Sequence, residues 1–259
     1  MRMRLFAPAL LLASFVSSAA LAGGKADLIL IHGQIKTGEG GKTVQALAVQ
    51  GGQVIAAGTD KEIQALATTG TKVIDLEGRS ASPGLMESDA HISPGASPQA
   101  IEKAILANID ALHQRGVTSV RDVGITQSQW DAYRALLEVH NLPERVCVTW
   151  SLGTSVDSAK TAMDGIGSAP RPPASFGDGR LISCGADTTN SGADPATWRI
   201  MTKMVQDAGF PAHVTKAGTL KKGQHADLAV WDQGKCILTL LDGEEVYRAD
   251  GNILQVRAF

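Results

Sequence analysis

Short apolar runs separated by glycine-rich turns open the chain. Asp27–Ile31, Ala46–Gln50 and Val54–Ala57 have strand length, and Gly33, Gly38–Gly41 and Gly51-Gly52 punctuate them. Asp60 caps a short helix over Lys61–Ala67, with Ile63 and Leu66 three apart, and Val73–Leu76 is another strand. The period then changes. Ala100–Gln114 carries Ile101, Ala104, Ile105, Ile109 and Leu112 on one helical face. Val117–Val123 is a strand, Gln129–Val139 a helix and Arg145–Trp150 a strand. A Pro/Ser/Gly-rich loop over 168–179 leads to a strand at Leu181–Cys184. Asp194 with Pro195 opens a helix to about Asp207, Gly209 stops it, and Phe210–Val214 is one more short strand. Ala226–Trp231, Cys236–Leu241, Glu244–Arg248 and Ile253–Arg257 close the chain as strands. The layout is β, then alternating strand and helix, then β. Such alternation calls for a parallel sheet.

The first residues set the compartment. Arg2 and Arg4, the apolar run Leu5–Val16 and the small-residue site Ala20-Leu21-Ala22 have the order of a secretory signal over residues 1–22. The run is too short to span a bilayer. The expected mature chain is periplasmic or secreted and has no membrane segment. Removing residues 1–22 takes away two arginines and no acid, so the net charge of −2 becomes −4. That balance excludes a basic nucleic-acid footprint. The three cysteines, Cys147, Cys184 and Cys236, form no CxxC motif. Cys147 and Cys236 lie in apolar runs as core residues; one disulfide is compatible with export, and spacing does not choose the pair.

Candidate chemistry concentrates at Pro83-Gly-Leu-Met-Glu-Ser-Asp-Ala-His91. Glu87, Asp89 and His91 alternate, so a regular strand turns all three to one face, as a divalent-metal site at a strand end requires. The plain alternative is a solvated strand end. His213, on the apolar strand after Gly209, is a further candidate ligand. Gly40-Gly41-Lys42-Thr43 lacks the upstream glycine of a phosphate loop and sits between strands, so it is a hairpin turn. There is no G-x-S-x-G and no H-E-x-x-H.

Several stretches together resemble the amidohydrolase superfamily, closest to its N-substituted formamide deformylase-like branch. They are Ala26–Ile35, Ala46–Val49 with Gly52–Gly58, Val73–Leu76 with Pro83–Leu85, Gly116–Asp122 with Asp131–Arg134, and Gly218–Asp232. The resemblance implies a small β-sandwich made by both chain ends, 23–82 and 217–259, flanking a barrel domain over 83–216. It implies a divalent metal, zinc first, at the C-terminal ends of the barrel strands, where a metal-activated water attacks a carbon–nitrogen bond of a small amide-like substrate. Asp89, His91 and His213 would be the metal ligands, with Glu87 at the rim.

The departures are as informative. The family's first motif is Asp-x-His-x-His, and this chain reads Glu87-Ser-Asp89-Ala-His91. Ser183 stands where the fourth strand often carries a bridging lysine. No counterpart is found for the sixth-strand histidine or the eighth-strand aspartate, so no general base is assigned. The 134 residues of 83–216 hold about five βα units, against roughly 250 residues for a closed (β/α)₈ barrel. The expectation is therefore a truncated, partial (β/α) barrel whose open edges need a partner copy, a rearranged sheet or an exposed flank. Three readings are open: a metal-dependent hydrolase of non-peptide C–N bonds, a catalytically inactive truncated relative acting as a binding protein or left by gene decay, and an unrelated α/β binding domain. The last would place the strands near Leu28 and Leu228 in separate domains.

Overall fold

The computed structural model describes residues 25–38, 40, 42–168, 180–187, 194–207, 218–251 and 254–259. The signal segment and the strand expected around His213 lie outside them. The first stretch holds β1 (Leu28–Ile31), β2 (Gln34–Lys36), β3 (Thr43–Val44), β4 (Ala46–Gln50), β5 (Gln53–Gly58), α1 (Asp60–Gln64), β6 (Lys72–Asp75) and β7 (Ser80–Pro83). The alternating stretch holds β8 (Leu85–Ala90), α2 (Pro98–His113), β9 (Val117–Ile125), α3 (Gln127–Glu138), β10 (Arg145–Ser151), α4 (Val156–Ser168), β11 (Leu181–Asp187) and α5 (Pro195–Asp207). The tail adds β12 (Leu228–Asp232), β13 (Lys235–Leu241), β14 (Glu244–Arg248) and β15 (Val256–Ala258).

Three sheets result, none closed on itself among the described residues. Their strand orders are β15-β6-β1-β4-β5, β14-β13-β12-β7-β2-β3 and β11-β10-β9-β8. The tail enters both mixed sheets: β12 pairs antiparallel with β7, and β15 with β6. Leu28 and Leu30 of β1 share one core with Val230 of β12 and Leu238 of β13. Ile29 and Ile31 point the other way, into a second cluster with Ile63 of α1. The period-two alternation of one strand thus feeds two apolar layers. The strands near Leu28 and Leu228 therefore share a core, against the separate placement that an unrelated binding domain would give.

β8 to β11 pair in parallel throughout. One face of this sheet is covered by helices: Ile101, Ile105 and Ile109 of α2 and Trp130, Tyr133 and Leu136 of α3 pack with Val120, Val146, Val148 and Trp150. Local chemistry starts the helices where the sequence places them. Ser97 caps α2 with Pro98 in its first turn, and Gln129 Oε1 accepts from both Thr126 N–H (2.7 Å) and Thr126 Oγ1–H (2.8 Å) at the start of α3. Gly84 is needed between β7 and β8, because a Cβ there would lie 2.0 Å from Thr118 Oγ1.

Four elements, β2, β3, β7 and α4, are absent from the sequence reading. α4 contains Gly165 and Gly167, which depress helix propensity and hide its period. It forms with a reciprocal Ser155–Ser158 start and buries Ala159 against Met201 of α5. β7 is short and ends in Pro83, so its pairing is visible only once β12 lies alongside. The hairpin expected at 40–43 forms between β2 and β3.

Candidate active site at the strand ends

The strand carrying Glu87, Asp89 and His91 is irregular. Glu87 stands opposite Val120 and Ala90 opposite Asp122, so three steps on β8 match two on β9. Directly opposed residues share a face, and an extra residue turns the side chains after it to the other face. Glu87 accordingly lies on the side of Val120, while Asp89 and His91 flank buried Ala90 on the other. This corrects the expectation that strict alternation puts all three side chains on one face. The Glu87 carboxylate is engaged elsewhere, 2.9 Å from Arg115 Nη2. Asp89 and His91 are both exposed.

The His91 ring is held by a hydrogen bond to the backbone. Its Nδ1 lies 2.9 Å from the Val123 carbonyl oxygen. A carbonyl only accepts, so Nδ1 carries a proton, and in the neutral ring this tautomer leaves the lone pair on Nε2. The segment after His91 is pinned from three elements. Asp122 of β9 accepts from Ile92 N–H (3.0 Å) and Ser93 Oγ–H (2.5 Å). Asn108 of α2 donates to the Ile92 carbonyl (3.0 Å), and Gln129 of α3 to the Ser93 carbonyl (2.7 Å). Tyr133 OH completes the set on Asp122 at 2.7 Å. Burial pushes the Asp122 carboxyl above the usual aspartate range, although these donors and the nearby His91 pull it down. Burial, then the Asp122 charge, holds the Tyr133 phenol well above its ordinary value, so it stays a donor.

Ser183 does not face this region. It is buried and accepts a hydrogen bond from Trp150 Nε1 (3.1 Å), a core residue that also packs on Trp130 at 5.6 Å between ring centroids. His213 lies outside the described residues. Catalytic zinc sites use three protein ligands; among the described residues no group of three or more His, Cys, Asp or Glu side chains comes together to hold a metal. The described donors, Asp89 and His91, therefore fall one short, and no chemical step through a metal can be derived from them.

A second polar region lies at the opposite, N-terminal ends of the parallel strands. Arg145, at the start of β10 and 3 % exposed at its side chain, donates from Nε and Nη2 to Asp227 (2.6 and 3.2 Å) and from Nη2 to Asp242. Arg180 Nη2 (3.0 Å) and His225 Nδ1 (2.7 Å) also meet Asp242. Asp242 and Arg180 line a cavity of about 630 Å³ with His225, Lys72 and Asp27. It contains neither Asp89 nor His91, and enzymes of parallel (β/α) folds place their chemistry at the other strand ends. The strand-end region is therefore the better candidate. The sequence reading missed Ser93, Asn108 and Tyr133. The one local signal was the Thr126-x-x-Gln129 pattern, which marks a helix start and says nothing about the loop it also holds.

No family model matches the chain, and no curated protein matches it. Solved structures do. An uncharacterized metal-dependent hydrolase from Pyrococcus horikoshii is similar with a TM-score of 0.54 at 12% identity, over 71% of this chain and 63% of that one. A mutant of the atrazine chlorohydrolase TrzN from Arthrobacter aurescens, complexed with zinc and atraton, is similar with a TM-score of 0.55 at 13% identity, over 85% of this chain and 95% of that one. The fold is shared with metal-dependent hydrolases. The chain spans less than two thirds of the length of the first Pyrococcus protein, and 52% of that of a second one, from Pyrococcus furiosus. At these identities the likeness carries the fold and no activity.

Proposed function

We propose that this chain is a member of the amidohydrolase superfamily, a metal-dependent hydrolase in design that acts on carbon–nitrogen bonds other than peptide bonds in a small amide-like substrate. In this reading the two mixed sheets are the composite sandwich, 23–82 with 217–259, and β8–β11 are the first strands of a partial barrel over 83–216. What supports it is the fold shared with metal-dependent hydrolases, a likeness that spans 71% and 85% of the chain. His91 adds local support, since Nδ1–H bound to a backbone carbonyl is the arrangement that orients a metal-ligating imidazole. Asp89 and His91 would donate from the first strand and His213 would complete a zinc site, with Glu87 outside the donor set at the rim. The metal, when bound, supplies an activated water and polarises the carbonyl. The protein acts after export to a periplasm or beyond, and the open sheet edges are covered by a second copy.

A second reading has a specific observation behind it. Glu87 is paired with Arg115, and Ser183 is turned into the core. Two positions of the family pattern are thus committed to structure, which suits a catalytically silent relative that binds a small molecule without cleaving it. Elemental analysis of purified protein, followed by assays on simple amides and N-formyl amines, separates the two. Bound zinc, iron or manganese near one equivalent with hydrolysis supports the enzyme. Substoichiometric metal after incubation with each ion rejects it in favour of the silent relative.

A further inference from the structure

We propose that Cys147 and Cys184 are an oxidation-dependent cross-link that fastens β11 to the parallel sheet, made in an oxidising compartment by a disulfide-donating protein. The proposal is independent of the hydrolase reading.

The geometry is local. Cys147 of β10 stands opposite Ile182 of β11, so Cys184 lies two residues on and on the same face. The pair is bonded, with Cα atoms 5.7 Å apart, inside the range that a disulfide spans between neighbouring strands. The need for it lies in how unequal the two faces are. The helix-covered face packs Val146, Val148, Trp150 and Leu181 into the large core with α2 and α3. On the other face, the cluster at this strand pair comprises only Cys147 and Ile182, with Cys184 against them, among the described residues. β11 is also the last strand in the described order of its sheet. The apolar cluster that holds it on this face is small, and a covalent bond adds to it.

The third cysteine explains why the pairing is unique. Cys236 is buried on β13, with its sulfur beside Thr239 Oγ1 (3.3 Å) and the Leu238 carbonyl (3.5 Å). Its strand belongs to a different sheet from β10 and β11, and burial raises its thiol above the ordinary cysteine value. The chemistry balances as a two-electron exchange. Two S–H bonds break and one S–S bond forms; the donor's disulfide takes up the two electrons and two protons and leaves as a dithiol. Such bonds persist outside the cytosol, the destination that the arginine, apolar and small-residue order of residues 1–22 specifies.

The test is thiol alkylation with mass spectrometry on the full chain expressed with export, denatured without reductant. One adduct, at Cys236, is expected, rising to three after reduction. Three adducts without reductant overturn the proposal, as does a peptide map that joins Cys236 to either partner. Reduction of the folded protein should lower Tm by roughly 5–15 °C, judged from the loop it closes and the chain's size. The Cys147→Ala/Cys184→Ala variant should match reduced wild type, and Cys236→Ala should keep the response to reductant. Should the double variant fail to fold, reduction of wild type decides alone: an unchanged Tm refutes the fastening role.

Discussion

His91 Nδ1 and the Val123 carbonyl oxygen, 2.9 Å apart, join the end of β8 to the end of β9 and leave the other imidazole nitrogen as the free donor atom. If any metal binds at these strand ends, His91 Nε2 is a ligand. His91→Ala should weaken zinc binding by more than about 100-fold, since loss of a supporting contact alone costs 10–100-fold. Competition titration against a chromophoric chelator measures it. Equal affinity in the variant removes His91 from the site.

The same loop depends on Asp122. Tyr133→Phe removes one of the donors to a buried carboxylate and should cost about 1–3 kcal/mol, read as a lower urea midpoint at constant slope. Because Asp122 also holds Ile92 and Ser93, their amides should exchange hydrogen faster in the variant. Unchanged exchange would mean that Asn108 and Gln129 suffice to hold the loop.

Arg145 connects the parallel sheet to the chain's tail through Asp227 and Asp242. Replacing it by Met keeps the apolar stem but leaves two carboxylates without their buried cation. A loss of about 3–5 kcal/mol is expected in equilibrium unfolding. A loss below about 1 kcal/mol, the scale of a surface pair, would show that the clasp is solvated.

The clasp also sets an acid limit. Burial raises the Asp242 carboxyl, but the His225 hydrogen bond and the charges of Arg145, His225 and Arg180 outweigh it, so the group lies below the ordinary aspartate value. A carboxylate depressed in the folded state contributes stability that is complete above its unfolded pKa, near 4, and is lost as pH falls through the folded value. Tm should therefore drop on acidification below about pH 4, and less steeply in Asp242→Asn than in wild type. Parallel acid limbs in the two proteins would exclude Asp242 as the source. Asp122, raised by burial, has the opposite sign: its contribution is present below its unfolded pKa and declines as pH rises through the folded one.

Much of the architecture is written locally. The Ile101–Leu112 stripe, the Asp194-Pro195 helix start and the apolar run at Leu28–Ile31 each name an element within a residue or two of where it stands. The α4 helix is not legible, because Gly165 and Gly167 mask its pattern and its packing partner, Met201, is distant in sequence. The candidate site is legible as a segment and not as a constellation. Spacing alone puts Glu87 with Asp89 and His91; the β8–β9 ladder shift, which no spacing reveals, sends it to Arg115. The cysteines behave alike: composition permits one disulfide, and the register of β10 on β11 selects its partners.

By itself the sequence determined most of the strands and helices, the switch to alternating strand and helix and the segment where chemistry would sit, since periodicity, caps and turns act over a few residues. Only the tertiary structure decided that the tail joins both opening sheets, that Ser183 faces Trp150, and that Glu87 departs from Asp89 and His91. Those outcomes depend on pairing register and on which distant surfaces bury one another, and Pro83–His91 carries no information about either until β9 lies beside it.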